Sequence, residues 1–513
     1  VNDMTNALSP LVQETLKTMN LTDSQLQELF NPTDRIVSNK AIDSIIDFYQ
    51  RATKLIVCGD YDCDGVSSTS IAVLLAKKCN LEVGYYIPNR LKEGYGVSKE
   101  TITMAHKRGY KDVLIIDNGV KAHEEIAYAQ ALGMRVAVVD HHIIDEPVTA
   151  DAFLHPDVCS PYEASMCASG LIYCVAERMG LSDSYMLALA CTATVADVMP
   201  LWGKNRELVR NGIQALNQNQ FLQFDALVKR NRFTHYSAKL LSFQAIPKIN
   251  TVGRLGDLAN VNTLVQYFTT PDESVITSYA KQLFKLNDYR KEQGKALKEV
   301  AMAQVNDDPI QIIVDKRFHE GLLGIVANQV AQETMKPTVV LTEYDNVLKG
   351  SARSMTFSLQ DIFTEVHSDY FVAMGGHDFA YGMTLNKATF DAFRADVNQI
   401  VSDFGAFEGR HETVLSIDPA WITQTALDEL RHLEPFGEGF KLPLMRVDIP
   451  RDFQLYNLNG YGFKYAFNGF PFDEAVFFTQ QYQKYQLQAA RSLIVTLDLD
   501  SRSKNVLFVE DFE

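Results

Sequence analysis

No run of about 18 apolar residues free of charge occurs in the chain, so no membrane-spanning helix is expected. The first residues, Val1-Asn2-Asp3-Met4, lack a basic segment leading into an apolar core, and no secretory signal is expected either. Cysteine is scarce: all seven lie between Cys58 and Cys191 without a CxxC pair, which reads as reduced thiols in a cytoplasmic protein. Low-complexity tracts and internal repeats are missing. So is any excess of positive charge, the net value being −16. A polyanionic partner would therefore need a local positive channel rather than a global field.

What is present is an ordinary globular composition, 46% hydrophobic and 22% charged, over 513 residues. That length exceeds one compact core and implies several domains. Residues 1–40 are polar and mildly helical, an arm or small subdomain. Residues 41–204 alternate helical spacing with short apolar strands at 55–57, 82–87, 113–116 and 135–139, the pattern of a parallel sheet covered on both faces. A turn at Gly65 is expected before the first crossing helix. Residues 205–305 form a helix-rich connector ending in a long polar helix near 275–300. A second α/β block follows over 306–410. Residues 411–513 hold a linker and short alternating strands that suggest a small β-barrel.

The acidic residues of the first α/β block carry the chemistry. Asp60 and Asp62 follow one strand, where alternation would place them on one face. Asp117 follows another, and Asp140-His141-His142 a third. Open parallel sheets place ligand sites at these carboxyl ends. Asp197 lies inside the apolar stretch 193–199, where an unpaired charge is costly and a metal or cation is the natural partner. Singly, an Asp after a strand is more often a turn former or helix cap; recurrence at three strand ends and one buried position points to a site. Carboxylates with imidazole favour Mn²⁺ or Mg²⁺. Two ions would relieve the mutual repulsion of the acids and suit in-line attack on phosphorus.

Asp140-His141-His142 is the triplet that names the DHH superfamily. Asp60-Tyr61-Asp62-Cys63-Asp64-Gly65, Asp117-Asn118-Gly119 and the segment Thr194–Leu201 resemble its other motifs in order and spacing. Further stretches resemble the bacterial RecJ exonucleases: Pro88-Asn89-Arg90 with Glu93-Gly94-Tyr95-Gly96, Pro247-Lys248-Ile249-Asn250 through Gly253-Arg254-Leu255, and Leu286-Asn287 with Arg290. The stretch from His319 to Ala327, Gly350-Ser351-Ala352-Arg353-Ser354 and Gly375-Gly376-His377 resemble the associated DHHA1 domain. Pro435-Phe436-Gly437-Glu438-Gly439 resembles the lead-in to the family's OB-fold.

The resemblance implies a parallel-sheet DHH domain and a second α/β DHHA1 domain joined by a helical connector, with a small OB-type β-barrel at the end. It implies hydrolysis of single-stranded DNA from the 5′ end to 5′-mononucleotides, in DNA repair or recombination. Asp60, Asp62, Asp117, His141 and Asp197 would hold two Mn²⁺ or Mg²⁺ ions, Asp117 bridging them. Asp140 would orient a histidine and His142 would face the scissile phosphate. Arg90, Arg254, Ser351 and Arg353 would bind substrate phosphates, with Gly375, Gly376 and His377 lining the nucleotide site from the opposite domain. A helicase or a single-strand-binding protein would be a fitting partner.

The chain departs from the family at Cys58, where histidine is usual, at Ala352 in place of glycine, and at Tyr381 where a small residue is common. Its C-terminal β region is short, and acidic residues outnumber basic ones there. Within 281–298, six basic residues (Lys281, Lys285, Arg290, Lys291, Lys295 and Lys298) face two acidic ones, and the last three lysines share a helix face that could line the cleft. Two other readings compete. One is a DHH-type phosphodiesterase for short oligonucleotides or cyclic dinucleotides; the other is a non-catalytic nucleic-acid-binding scaffold.

Overall fold

The computed structural model describes residues 7–405, 413–479, 482–499 and 506–513, apart from the side chain of His377. The N-terminal Val1–Met4 and the expected boundary at 410–411 lie outside the described residues. No helix among those described is long and apolar enough to cross a membrane.

The first sheet takes β1 (Lys54–Cys58), β2 (Glu82–Tyr86), β3 (Asp112–Ile116), β4 (Arg135–Val139) and β5 (Ala152–Leu154) in the order β2-β1-β3-β4-β5, all parallel. Strand alternation divides its core. Leu55, Val57, Leu114, Ile116, Ala137 and Val139 face the helix Cys63–Lys78 and its neighbours, while Ile56, Val113, Ile115, Val136 and Val138 face the helices Lys99–Lys107 and His123–Ala131. The chain leaves β1 toward β2 and returns on the other side to β3. The order therefore reverses between β1 and β3, and a crevice opens at their carboxyl ends.

Helices from Lys204–Gln218 to Glu273–Met302 connect this block to a second, mixed sheet. Its strands β6 (Gln311–Val314), β7 (Thr338–Glu343), β8 (Val347–Arg353), β9 (Phe371–His377) and β10 (Ala380–Asn386) run in the order β6-β7-β8-β10-β9. Only β6 and β7 are parallel.

The last unit holds β11 (Val414–Ile417), β12 (Leu444–Asp448), β13 (Phe453–Asn457), β14 (Phe463–Phe467), β15 (Glu474–Phe477), β16 (Ser492–Leu497) and β17 (Val506–Phe512), in the order β11-β12-β16-β17-β15-β14-β13. Four residues separate β12 from β13, yet the two stand far apart in the run, β13 at its end and β12 beside β11. The alternating strands expected here form one seven-stranded sheet consistent with an OB-like unit, with β11 as an added edge beside β12. The helices Pro10–Thr18 and Asp23–Phe30 do not stand apart as an arm. Leu11, Val12, Leu16 and Leu29 are buried in this β unit's core with Leu427, Leu430 and Met445, and the Ser9 hydroxyl donates to Glu429 at 2.6 Å.

Candidate metal centre and phosphate cleft

The site starts from a chain that turns sharply after β1. Asp60 lies in the loop, and Asp62 is the N-cap of the helix Cys63–Lys78, its Oδ1 accepting from Gly65 N at 2.9 Å. The two acids share a pocket because of this tight loop, not because of strand alternation. Gly65 sits inside the first helical turn rather than in a turn before it. A Cβ there would lie 2.2 Å from the Asp60 carbonyl oxygen, so the loop can close only on glycine. Asn250 of the connector accepts from Cys63 N at 2.8 Å and ties the loop to the helix Ile246–Arg254.

Asp117 follows β3 in the left-handed region, with φ +58°. This strained conformation for a non-glycine residue is the kind that surrounding structure must enforce at functional sites. His141 stands at the centre of the cluster: its Nε2 lies 3.2 Å from Asp117 Oδ1, 3.3 Å from Asp197 Oδ2 and 3.7 Å from Asp64 Oδ2. Asp197 reaches it from the C-cap of the helix Ser184–Ala196. Asp140 is fully buried and accepts from Val120 N, His141 N and His142 Nδ1, the last at 2.7 Å.

Burial and like charge dominate the electrostatics. Burial pushes the carboxyls of Asp60 and Asp117 well up, and the neighbouring acids push further. The same causes raise Asp197 to about 8. Burial lowers His141 against the pull of the surrounding acids. Burial opposes the charge on His142 as well, but the hydrogen bond and charge of Asp140 outweigh it and lift His142 to about 9. For Asp140 the same pairing, with its backbone donors, overcomes burial and holds the carboxyl low.

The donor set fits divalent cations. Among the described residues Asp60 Oδ1 and Asp117 Oδ1, the latter 3.2 Å from His141 Nε2, are buried without a hydrogen bond, a costly state that a cation resolves. Three groups (Asp117 with His141 and His142, Asp64 with His141 and Asp197, and Asp60 with Asp62 and Asp117) bring ligand atoms within 4.8 Å of one another. Asp64 carried no role in the sequence reading. Its two oxygens accept from Ala168 N and Ser169 N at 2.9 Å each, so it both anchors a helix start and faces His141. The i, i+2, i+4 spacing of Asp60, Asp62 and Asp64 is the signal that could have singled it out.

Beside this cluster a cleft of about 510 Å³ lies between the two α/β blocks, lined by Tyr61, Arg90, Arg254, Ser351 and Arg353 among others. The Arg90 guanidinium sits 5.1 Å from the Tyr61 ring centroid, and Arg353 donates to Ser351 Oγ at 2.9 Å. Burial and the charges of Arg90, Arg353 and Arg290 lower Arg254 to about 10. Gly321 packs where a Cβ would meet the Arg254 carbonyl oxygen at 1.7 Å, which seats the second block against the first. Arg290 turns inward, its Nη2 donating to Asn287 Oδ1 at 3.0 Å while its Nε is buried without a hydrogen-bond partner among the described residues.

Other expected residues fall elsewhere. Gly375 and Gly376 lie on the edge strand β9, exposed and outside the cleft lining, with Gly375 opposite Gly382, which does line it. His377 ends that strand and its side chain is outside the described residues. Cys58 is buried, its thiol pushed up to about 12, and it packs with Ile56 rather than joining a ligand group. Ala352 and Tyr381 belong to the core of the second sheet. Lys291 and Lys295 are exposed away from the cleft lining, and Lys298 pairs with Glu333.

Residues 54–200 match the family model described as DHH family, N-terminal domain, and residues 299–403 match the DHHA1 domain. The chain is similar to proteins named single-stranded-DNA-specific exonuclease RecJ. With that of Haemophilus influenzae it is 27% identical over 419 residues, covering 74% of this chain and 72% of the relative. With that of Bacillus subtilis it is 29% identical over 428 residues, covering 80% of this chain and only 54% of the relative. A crystal structure of exonuclease RecJ bound to manganese superposes with a TM-score of 0.62 at 27% identity, over 72% of this chain and 96% of that one. RecJ from Thermus thermophilus in complex with Mn²⁺ shares the fold over 99% of this chain and 76% of its own, with a TM-score of 0.84 at 22% identity.

Proposed function

This chain is a RecJ-like member of the DHH/DHHA1 phosphoesterase superfamily, and on that premise we propose that it hydrolyses single-stranded DNA stepwise from the 5′ end, releasing 5′-mononucleotides. One observation carries the reading: buried carboxylates gathered around His141 stand beside a cleft whose arginines lack carboxylate partners among the described residues. An acid cluster suits cations and an arginine cluster suits phosphate; a phosphodiester laid between them meets both.

In this reading Asp60, Asp62, Asp117, His141 and Asp197 would hold two divalent ions, Mn²⁺ or Mg²⁺, with Asp64 beside them, its Oδ2 3.7 Å from His141 Nε2. Such ions, when bound, neutralise the acids and stabilise negative charge on the entering and leaving oxygens of an in-line displacement. Arg90, Arg254 and Arg353, with Ser351, take the terminal 5′-phosphate, and bidentate guanidinium donors fix its orientation. Asp140 pairs with His142 Nδ1 at 2.7 Å and orients the ring, so that its other nitrogen would face an oxygen of the scissile phosphate. Gly375, Gly376 and His377 approach the nucleotide from the β9 edge as the strand enters. A cleft that admits one strand leaves duplex opening to another protein, a role for a helicase or a single-strand-binding protein in the cytoplasm.

The test is a single-stranded oligonucleotide with a 5′-phosphate and a 3′ label, incubated with the full chain and Mn²⁺. A ladder shortening from the 5′ end, abolished by chelator and by Asp117→Ala, supports the proposal. An intact strand beside rapid turnover of dinucleotides would move the activity to short substrates. Silence on both would leave a nucleic-acid-binding scaffold.

A further inference from the structure

Between the helices Ser184–Ala196 and Lys204–Gln218 the chain makes a turn whose first residue is Asp197. The next residue, Val198, is β-branched and sits in the left-handed region at φ +53°. A backbone in that state persists only where its surroundings over-determine it. Val198 itself is exposed, its turn closed locally by Val198 N on the Val195 carbonyl and Met199 N on the Thr194 carbonyl, and the residues that follow meet the C-terminal unit. Leu201 N donates to the Glu438 carbonyl at 2.8 Å, and Trp202 Nε1 donates to the Gly439 carbonyl at 2.9 Å.

Arg206 closes the arrangement. It is 3% exposed, lies 5.7 Å from the Trp202 ring and 5.0 Å from the Phe440 ring, and meets no carboxylate at ion-pair distance among the described residues. Its guanidinium donates instead to the carbonyls of Leu433 at 2.6 Å and Pro435 at 3.1 Å, just beyond the helix Gln424–His432. A cation suits those carbonyls, which lie at the negative end of the helix dipole. From the other side Gly203 N donates to Glu28 Oε1 at 2.8 Å, on a helix that belongs to the same C-terminal core.

We propose that Arg206 and Trp202 form a latch by which the segment 433–440 positions Asp197 in the metal centre, so that the C-terminal unit sets the geometry of the acid cluster. The proposal rests on the two-cation reading above. Arg206 and Trp202 are positioning residues: neither belongs to the ligand groups or the cleft lining. Their effect passes through the backbone from Trp202 to Asp197.

The measurement is a Mn²⁺ binding isotherm of the full chain without substrate, read from the electron paramagnetic resonance signal of free Mn²⁺. Arg206→Met is expected to weaken Mn²⁺ binding by about threefold to tenfold, less than the ~10–100-fold typical of direct partners of ligands. Trp202→Phe keeps the stacking and loses one donor; a shift of about threefold is expected, and it serves if Arg206→Met does not fold. Leu493→Ala, a core truncation in the same unit, lowers the melting temperature and leaves the isotherm in place. In an Asp197→Asn background Arg206→Met adds nothing, as coupled positions require. The latch is overturned if both latch variants shift the isotherm no more than Leu493→Ala does, or if the Arg206→Met and Asp197→Asn effects add in full. An isotherm indifferent to Asp197→Asn alone would remove the metal-site reading, and the latch with it. That outcome differs from failure of the latch, in which Asp197→Asn still weakens binding.

Discussion

Replacing Arg254 by Met should make the free protein more stable and its substrate binding worse. Arg254 lies in a cleft with Arg90 and Arg353, and Arg290 is close enough to repel it. Burial and those charges lower it from 12.5 to about 10, equivalent to roughly 3 kcal/mol against the charged form. Part of the residue still reaches the water of the cleft, so a net penalty of about 1–2 kcal/mol is a better expectation. The penalty is fully present at neutral pH, far below the lowered value, and Met removes it while keeping most of the volume. The backbone contact with Gly321 is untouched by the exchange. The phosphate would lose a desolvated charged partner, typically ~2–5 kcal/mol, or about 30-fold or more in affinity. Two assays decide. Thermal melts of parent and Arg254→Met in phosphate-free buffer should favour the variant, and a 5′-phosphorylated dinucleotide should raise the parent's midpoint only. In exonuclease assays, the parent's preference for a 5′-phosphate over a 5′-hydroxyl should collapse in the variant. A variant that melts lower and keeps that preference would refute the reasoning, because Arg254 would then be a structural cation with a partner of its own.

Asp117→Asn relieves a buried carboxyl of its repulsion by Asp64, Asp62 and Asp60. It should melt above the parent without metal, lose the stabilisation that Mn²⁺ gives the parent, and be about 100-fold or more less active. Parallel melts with and without Mn²⁺ check this. Lys248 is 6% exposed and is lowered to about 8 by burial and by Lys291 and Lys229. Its folded value lies below its unfolded one, so the unfolded chain binds more protons between about 8 and about 10.4, and stability rises with pH across that window. Lys248→Met should melt higher than the parent at pH 7, with the gap closing by about pH 10; a constant gap would refute the assignment. Leu11→Ala, at a fully buried position in the C-terminal core, should destabilise that unit by about 2–5 kcal/mol and expose it to proteolysis. Loss of only the first helix in such a digest would show that the arm is merely attached.

The legible parts of this molecule are those in which local chemistry and tertiary role coincide. Strands β1, β3 and β4 are short apolar runs ending in acids, and period and punctuation place them almost to the residue. Asp60 and Asp62 were legible as a pair but not in their mechanism. Alternation assumes a strand, whereas a helix beginning at Cys63 makes Asp62 its cap, and the sequence Cys-Asp-Gly is a poor advertisement for a first helical turn. Asp64 was hidden by its double duty: an acid that accepts from two backbone amides across the fold looks, in sequence, like any other acid of the motif.

The contacts that were not legible join segments far apart in the chain. Val12 and Leu16 have the spacing of an amphipathic helix, but nothing in that spacing names a partner more than 400 residues away. Arg206 likewise reads as a surface cation on a polar helix, and only the fold reveals three backbone carbonyls and two aromatic rings around it. A buried guanidinium that spends its donors on backbone carbonyls is tolerated when those carbonyls would otherwise be orphaned, and here they follow a helix that has run out of partners. That pairing makes the start of the C-terminal unit part of the turn that carries Asp197. The acid cluster comes wholly from residues 60–197, and under the proposed latch the segment 433–440 holds its last member, Asp197, in place. A fragment ending before Leu433 should bind Mn²⁺ more weakly than the full chain even where its first sheet is folded.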